Sequence, residues 1–372
     1  MNFEIKIFSE INDELKKSWQ EFEGLSYSYC FQSFDWFETW FETFRAKNKG
    51  YLLQVVVVKI SSKIICILPF EIKKKNSFNQ LKWVGDQHAD YCSPLISKDF
   101  IFNSENFTDL FSKILEKISK IDIIFLIKQP KQIDQINNPF VSFLKNYRDS
   151  KTFSILLPNN WNDYNKKVLK KEFYLQNMRK KKNLKKEGLL NFKKFDLSEN
   201  RSEIINKLFI QKNIRLSSQG MSALSTNKLL KFYQELTIKK NKYIKIHLSA
   251  LTFNAELIGI HWGVIYKKRF YYLLLSMNQK KLRKFSPGRL LISFLIRWSI
   301  SKKLNVFDFT LGEESYKSSW SNNTDYLFNH VSSYSTIGLL VLPFLKLKIY
   351  IKHLDTNGQL RKVFKILKNK FN

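Results

Sequence analysis

"RFYYLLLSMNQKKLRKFSPGRLLISFLIRWSISKKLNVFDFTLG", residues 269–312, reads as a strand, a basic turn, a helix and a second strand. Phe270–Met277 is aromatic or aliphatic except at Ser276, "RKFSPGR" (283–289) is broken by Pro287 and Gly288, and "LLISFLIRWSI" (290–300) is apolar at helical spacing. The first turn of a helix carries N–H groups with no intrahelical acceptor, and the helix dipole adds positive charge there, so a turn stripped of bulk by glycine can hold a pyrophosphate. The same letters also suit a plain strand-to-helix connection, because serine is a good N-cap and proline fits the first helical position. The flanking sequence has to decide between them.

Upstream, "YIKIHLSALTF", "ELIGIHWGVIY" and "RFYYLLLSM" are three strand-like runs joined by the turns "NAE" and "KKR". They predict an antiparallel meander leading into a strand–helix–strand crossover, a mixed sheet that splays where its two middle strands part and admits a ligand there. Before the meander come the strand "LLNFKKF" and helices over Glu199–Leu216 and Asn227–Thr237. A long basic helix is expected between Trp161 and Gly188; its "RKKKNLKK" is open to two readings, a solvated face or a nucleic-acid contact.

The first half has the same α/β character. A helix over Ile11–Glu23 precedes a second that starts after Ser33 and sets Phe34, Phe37, Phe41 and Phe44 in a core-facing stripe. "YLLQVVVVKI" and "KIICILPFEIKK" form a hairpin about "SSK"; then come the strand "QLKWVG", the turn-rich "DQHADYCSPLIS", a helix over Glu105–Lys120, the strand "IDIIFLIK", a helix over Pro139–Tyr147 and the strand "TFSILLP". There is no Walker A loop, GxSxG elbow or Rossmann fingerprint.

Composition limits the possible functions. With 372 residues, 44% hydrophobic and 15% aromatic, the chain can fill a core and is not a disordered tail. The net charge of +31 predicts attraction to polyanions and acidic membranes. Only ten of the 63 basic residues are Arg, so the charge is mainly a lysine-rich composition and not a set of phosphate forks. Cys30, Cys66 and Cys92 form no CxxC pair and His88, His247, His261, His330 and His353 show no ligand spacing, so no metal is assigned and a reducing cytosol is expected. "MNFEIKIFSEINDELKK" lacks the apolar run of a signal peptide, and "IGLLVLPFL" is too short to span a bilayer. In the tail, Leu360, Val363, Phe364, Leu367 and Phe371 share one face opposite lysines, so this segment either docks on the body or rests on an anionic membrane face, making the protein cytoplasmic or peripheral.

Taken together, "SPG" (286–288), "FDF" (307–309) and "GEESYKSSW" (312–320), with "FQSFDWFETW", "ILPF" and "DYCSPL" in the first half, resemble the CelD-like, or BioF2-like, acetyltransferases of the GNAT superfamily over roughly residues 25–330. The resemblance implies tandem GNAT-like (acyl-CoA N-acyltransferase) domains on an α/β mixed sheet, related to Fem-type transferases. The first domain (1–158) would be degenerate, the second (159–335) catalytic, and 336–372 a basic amphipathic tail. It also implies acetyl-CoA or another acyl-CoA as co-substrate, and an amine or hydroxyl acceptor such as an amino sugar or polysaccharide precursor. Carried over residue by residue, the pyrophosphate loop falls on Arg283, Lys284, Ser286, Pro287, Gly288 and Arg289, and the pantetheine strand includes Leu275 and Met277. This chain reads SPGR where the usual GNAT loop is Q/R-x-x-G-x-G/A.

Acyl transfer from a thioester needs a polarising donor, a base for the acceptor and a proton for the thiolate. Glu313 and Glu314 are the candidate bases, Tyr316 the candidate acid, and Lys317 a holder of an anionic group; their alternative is a solvated loop. Asp308 is a base or a sheet-stabilising acceptor, His261 a cleft group or a core histidine, and Asp90 and Tyr91 either line the acceptor side or cap a turn before Pro94. Two other function classes stay open: aminoacyl transfer from charged tRNA, with Lys166–Lys186 as an RNA arm, and a non-enzymatic membrane-surface protein.

Overall fold

A computed structural model describes residues 1–75, 77–118, 120–196, 199–218, 227–278 and 282–354. The first half runs β1 (Glu4–Phe8), α1 (Asp13–Glu23), β2 (Ser26–Tyr27), α2 (Phe34–Phe44), β3 (Tyr51–Ile60), β4 (Lys63–Lys74), β5 (Asn79–Trp83), β6 (Leu95–Ser97), α3 (Ser104–Lys117), β7 (Ile123–Pro130), the small hairpin β8 (Gln132–Ile133) and β9 (Ile136–Asn137), α4 (Pro139–Ser142) and β10 (Tyr147–Leu156). The second runs α5 (Trp161–Lys167), α6 (Lys171–Glu187), β11 (Leu190–Phe195), α7 (Arg201–Ser218), α8 (Asn227–Ile238), β12 (Lys245–Phe253), β13 (Glu256–Tyr266), β14 (Arg269–Met277), α9 (Pro287–Ser301), β15 (Val306–Leu311), α10 (Ser315–Ser318), β16 (Asn323–Ser333) and α11 (Thr336–Leu354).

Local chemistry places most of these elements. Ser33 caps α2 by accepting from the Trp36 N–H, and Asn12 caps α1 the same way from Leu15. The hairpins turn at Ser61–Ser62, Asn254–Ala255 and Lys267–Lys268, where both residues have positive φ, the two-residue geometry that matches strand twist. Two expected helices differ. In place of Pro139–Tyr147, α4 lasts four residues, because the Asn146 amide donates to the carbonyls of Phe140, Val141 and Leu144 and closes the turn. The basic helix is two, since the Tyr164 carbonyl accepts from both Val168 and Leu169 and the chain dips to bury Leu169 before α6 begins. The tail positions Leu360, Val363, Phe364, Leu367 and Phe371 lie outside the described residues.

Among the described residues fourteen strands share one mixed sheet, with the path β1-β3-β4-β5-β7-β16-β10-β15-β14-β13-β12-β11. Reading inward from either end gives the same scheme: an edge strand, a three-stranded antiparallel meander, then a parallel pair, β5 with β7 or β14 with β15, joined through α3 or α9. At the centre the halves exchange strands. β10 leaves the first half to pair with β15, β16 leaves the second to pair with β7, and the two pair with each other.

One apolar core continues from the first half under α7 and α8, with Trp36 of α2 packed edge-on against Phe232 of α8 at 5.1 Å. A second core lies beneath α9. The halves are also stitched by polar contacts: Asp35 accepts from the Lys242 and Tyr243 N–H groups, and the Ser28 and Tyr266 hydroxyls meet at 2.8 Å.

Candidate active site

The parallel pair β14–β15 holds register from Arg269↔Val306 to Tyr271↔Asp308 and then opens. The cause is local. Asp308 Oδ1 accepts the Thr310 N–H at 2.8 Å and holds Thr310 at φ 56°, bending β15 away, while the β10–β15 register shifts between Thr152 and Ser154. Gly312 continues the bend at φ 130°, where a Cβ would lie 2.3 Å from Glu314 Oε2 and 2.7 Å from Lys317 Nζ. On the other arm β14 bulges between Tyr272 and Leu274, so Tyr272 stays on the α9 face while Ser276 turns to α7 and donates to Gln211. The result is a V-shaped parting of the two strands, between Tyr272–Met277 and the end of β15, referred to below as the cleft.

The helix start beside this cleft is open. Ser286 has φ 52°, ψ 59° and makes no side-chain cap; its hydroxyl instead accepts from Lys180 Nζ at 2.6 Å. Pro287 has no N–H, the Arg289 and Leu290 N–H groups fold back onto the Ser286 carbonyl, and the Gly288 N–H has no partner among the described residues. A Cβ on Gly288 would meet nothing closer than Met277 Sδ at 3.8 Å, so protein packing does not demand a glycine. Lys284 pairs with Glu187 at 3.1 Å, the Arg289 guanidinium covers the Phe173 ring, and Arg283 is exposed. Leu275 is half-buried and Met277 buried along the strand.

Around the mouth of the V the structure gathers most of the sequence candidates. Buried Asp308 accepts from Tyr91 Oη, Arg269 Nη1 and the Thr310 N–H, each at 2.8 Å, which is the environment of a supporting carboxylate. Asp90 lies beside it, its carboxyl raised by burial although Thr310 hydrogen-bonds it and Lys128 and Lys317 oppose the shift. Lys317 is buried, donates to the Leu311 carbonyl at 2.8 Å and pairs with Glu314 Oε2 at 3.0 Å. Tyr316 is pushed up to about 12, by burial first and the Glu314 charge next, so it keeps its proton at neutral pH. Glu313 turns away, exposed, and accepts the Lys151 N–H at 3.1 Å. His261 is sealed between the Phe270 and Tyr272 rings with both ring nitrogens unpartnered, and burial holds it well below the usual imidazole range.

Two contributors escaped the sequence. Arg269 reads there only as the junction of the "KKR" turn and its strand, yet it pairs with Asp308. Lys212 on α7, beside Arg215 and facing Glu314, is lowered to about 8 by burial and the Arg215 charge; in a chain this rich in lysine nothing marks it. No cluster of metal-ligating side chains occurs among the described residues.

Residues 174–318 match the family model described as an acetyltransferase (GNAT) domain. No curated protein sequence matches the chain. Among solved structures, FemX is similar at 11% identity over 89% of this chain and 98% of that one, with a TM-score of 0.59. A conserved protein of unknown function from Bacteroides thetaiotaomicron is similar at 10% identity over 89% of this chain and 100% of that one, with a TM-score of 0.54. The V-shaped cleft and the open helix start both fall inside the matched segment, so residues 174–318 carry a GNAT-type acyltransferase fold within a chain whose overall fold is similar to that of FemX.

Proposed function

We propose that the chain transfers an acetyl or other acyl group from acyl-CoA to an amine or hydroxyl acceptor, with an amino sugar or polysaccharide precursor as the acceptor class. The observation that carries this reading is the juxtaposition of the opened β14 edge with the uncapped start of α9. A thioester laid along Tyr272–Met277 would find backbone N–H groups for its carbonyl, and its pyrophosphate would find the Gly288 and Arg289 turn. For an amine acceptor, the nitrogen attacks the thioester carbon, the new C–N bond forms as C–S breaks, Glu314 takes the ammonium proton, and Tyr316 supplies the proton to the thiolate. Asp90 is the second carboxylate within reach of that centre. Lys317 and Lys212 would hold an anionic acceptor, whereas Asp308, with Tyr91 and Arg269, would set the bend that keeps the cleft open. In this reading 1–158 and 159–335 are the two GNAT-like units, and the protein is cytoplasmic, with membrane contact through the tail.

Calorimetric titration of acetyl-CoA and CoA at moderate salt tests the reading. Wild type should bind both, and Gly288→Glu, which puts a carboxylate where the pyrophosphate belongs, should weaken binding at least ~100-fold with an unchanged melting temperature. Absence of binding by the wild type would transfer the cleft to the charged-tRNA reading, for which the lysines of α6 supply an RNA-facing surface.

A further inference from the structure

A second cleft, separate from the V, lies between α6 and α9. Tyr174, Asn177, Met178 and Lys181 form one face of α6, and Leu290, Ser293, Phe294 and Arg297 form one face of α9, each at i, i+3, i+4, i+7 spacing. Trp320 and Trp161 help to close it, and the space amounts to about 640 Å³ with its open mouth included. Three features set it apart from ordinary helix packing. The Asn177 side chain is 7% exposed, yet neither its Oδ1 nor its Nδ2 has a hydrogen-bond partner. The Trp320 indole N–H is fully buried and equally unpartnered. At the mouth, Lys181 Nζ lies 4.6 Å from the Phe294 ring centroid and Arg297 is exposed; their charges repel each other, and neither is in an ion pair among the described residues. Buried polar groups in folded proteins are satisfied as a rule, so a set of unpaired donors and acceptors lining one cavity calls for a partner from outside the chain.

The unmet chemistry specifies that partner. Two cations at the mouth favour an anion; aromatic and aliphatic walls from Trp161, Tyr174 and Leu290 favour a flat apolar body; the free carboxamide requires an edge that both donates and accepts. A fatty carboxylate would answer the cations but leave Asn177 unpaired. An adenine edge presents an acceptor and a donor side by side, the pattern that asparagine pairs with bidentately. We infer that the α6–α9 cleft binds an adenosine phosphate, with Asn177 on the base edge and Lys181 and Arg297 on the phosphate. The cleft's α9 residues start four positions beyond Ser286 and extend to the eleventh, roughly 6 to 16 Å along the helix, so the site does not share the Gly288 turn and does not depend on the acyl-transfer reading.

The test is calorimetric titration of AMP into the full chain. Wild type should bind AMP. Inosine monophosphate, which lacks the exocyclic amine, should bind at least ~10-fold more weakly, and so should AMP to Arg297→Gln. Asn177→Leu should lose AMP at least ~10-fold while raising the melting temperature, because a buried unpaired amide is replaced by an apolar group of similar size. Failure of AMP to bind wild type, equal affinity for AMP and inosine monophosphate, or an Asn177→Leu variant that melts lower and still binds AMP would each overturn the assignment. Gly288→Glu separates the two sources of the ligand: displacement of AMP by CoA from wild type but not from this variant identifies the adenosine end of CoA, and no displacement from either identifies a free nucleotide. Because AMP binding should survive in Gly288→Glu, a failed CoA titration would leave this inference standing.

Discussion

The two halves of the sheet are built to one scheme, and their forks end differently. In the second half β14 and β15 part beside a helix whose first turn lacks a side-chain cap. In the first half β5 and β7 pair only at Gln80↔Ile123 and Leu81↔Ile124 before diverging, but that opening is filled: Trp83 donates its indole N–H to Gln129 and stacks on Phe70, with Phe140 edge-on at 5.0 Å. The helix that follows is also closed, since Asn103 and Asn106 cap each other reciprocally at the start of α3. Divergence of a parallel pair therefore creates a cavity in both halves, and the side chains entering it decide whether that cavity is core or cleft. The filled fork stabilises; the other is the one proposed above to bind.

Three experiments would break or sharpen this contrast. The largest effect should come from Trp83→Ala, which empties the first fork and strands Gln129: about 4 kcal/mol of stability lost in denaturant unfolding, with CoA affinity within about twofold of wild type. A large loss of CoA binding there would mean that the first fork is not merely core. Next is the pH response of the open fork. Lys212 titrates at about 8 in the folded chain against 10.5 for an ordinary lysine, because burial disfavours its charge. The unfolded chain therefore holds the proton to higher pH, and this group makes stability rise as pH increases from about 8 to 10.5. Melting temperatures of Lys212→Met should be higher than wild type below pH 8, with the difference shrinking across that window; parallel curves would show that Lys212 is solvated. The smallest effect should be at the caps. Asn103→Ala should cost about 1 kcal/mol, whereas Ser286→Ala, which removes the Lys180 contact but no cap, should cost less.

The sequence shows what is decided within a few residues. The meanders, the two-residue turns at Ser61–Ser62 and Asn254–Ala255, the Ser33 cap and the strand–turn–helix around Pro287 follow from periodicity and turn chemistry, and the structure has them all. It does not show pairings made across the chain. Asp308 gives no hint of Tyr91, 217 residues away, and Lys128 none of Asn329, which accepts its N–H from 201 residues away. Glu313 and Glu314 are adjacent acids in the sequence, but the positive φ at Gly312 sends one out to the Lys151 amide and the other in to Lys317. Ser286 shows the limit even of a local rule. Its left-handed backbone removes it from the capping geometry that its residue type predicts.

The exchanged strands also govern how the chain is made. β7 is complete at Pro130, but its neighbour β16 begins at Asn323, nearly two hundred residues later in synthesis. Until then a nascent first half exposes an unpaired sheet edge, and closing so long a loop makes this one of the late, slow steps of folding. A ribosome that stalls before Asn323 would release a chain with that edge still bare, ready to pair with a second such product. Because each half lends a strand to the other, neither can be separated from the other by a single cut.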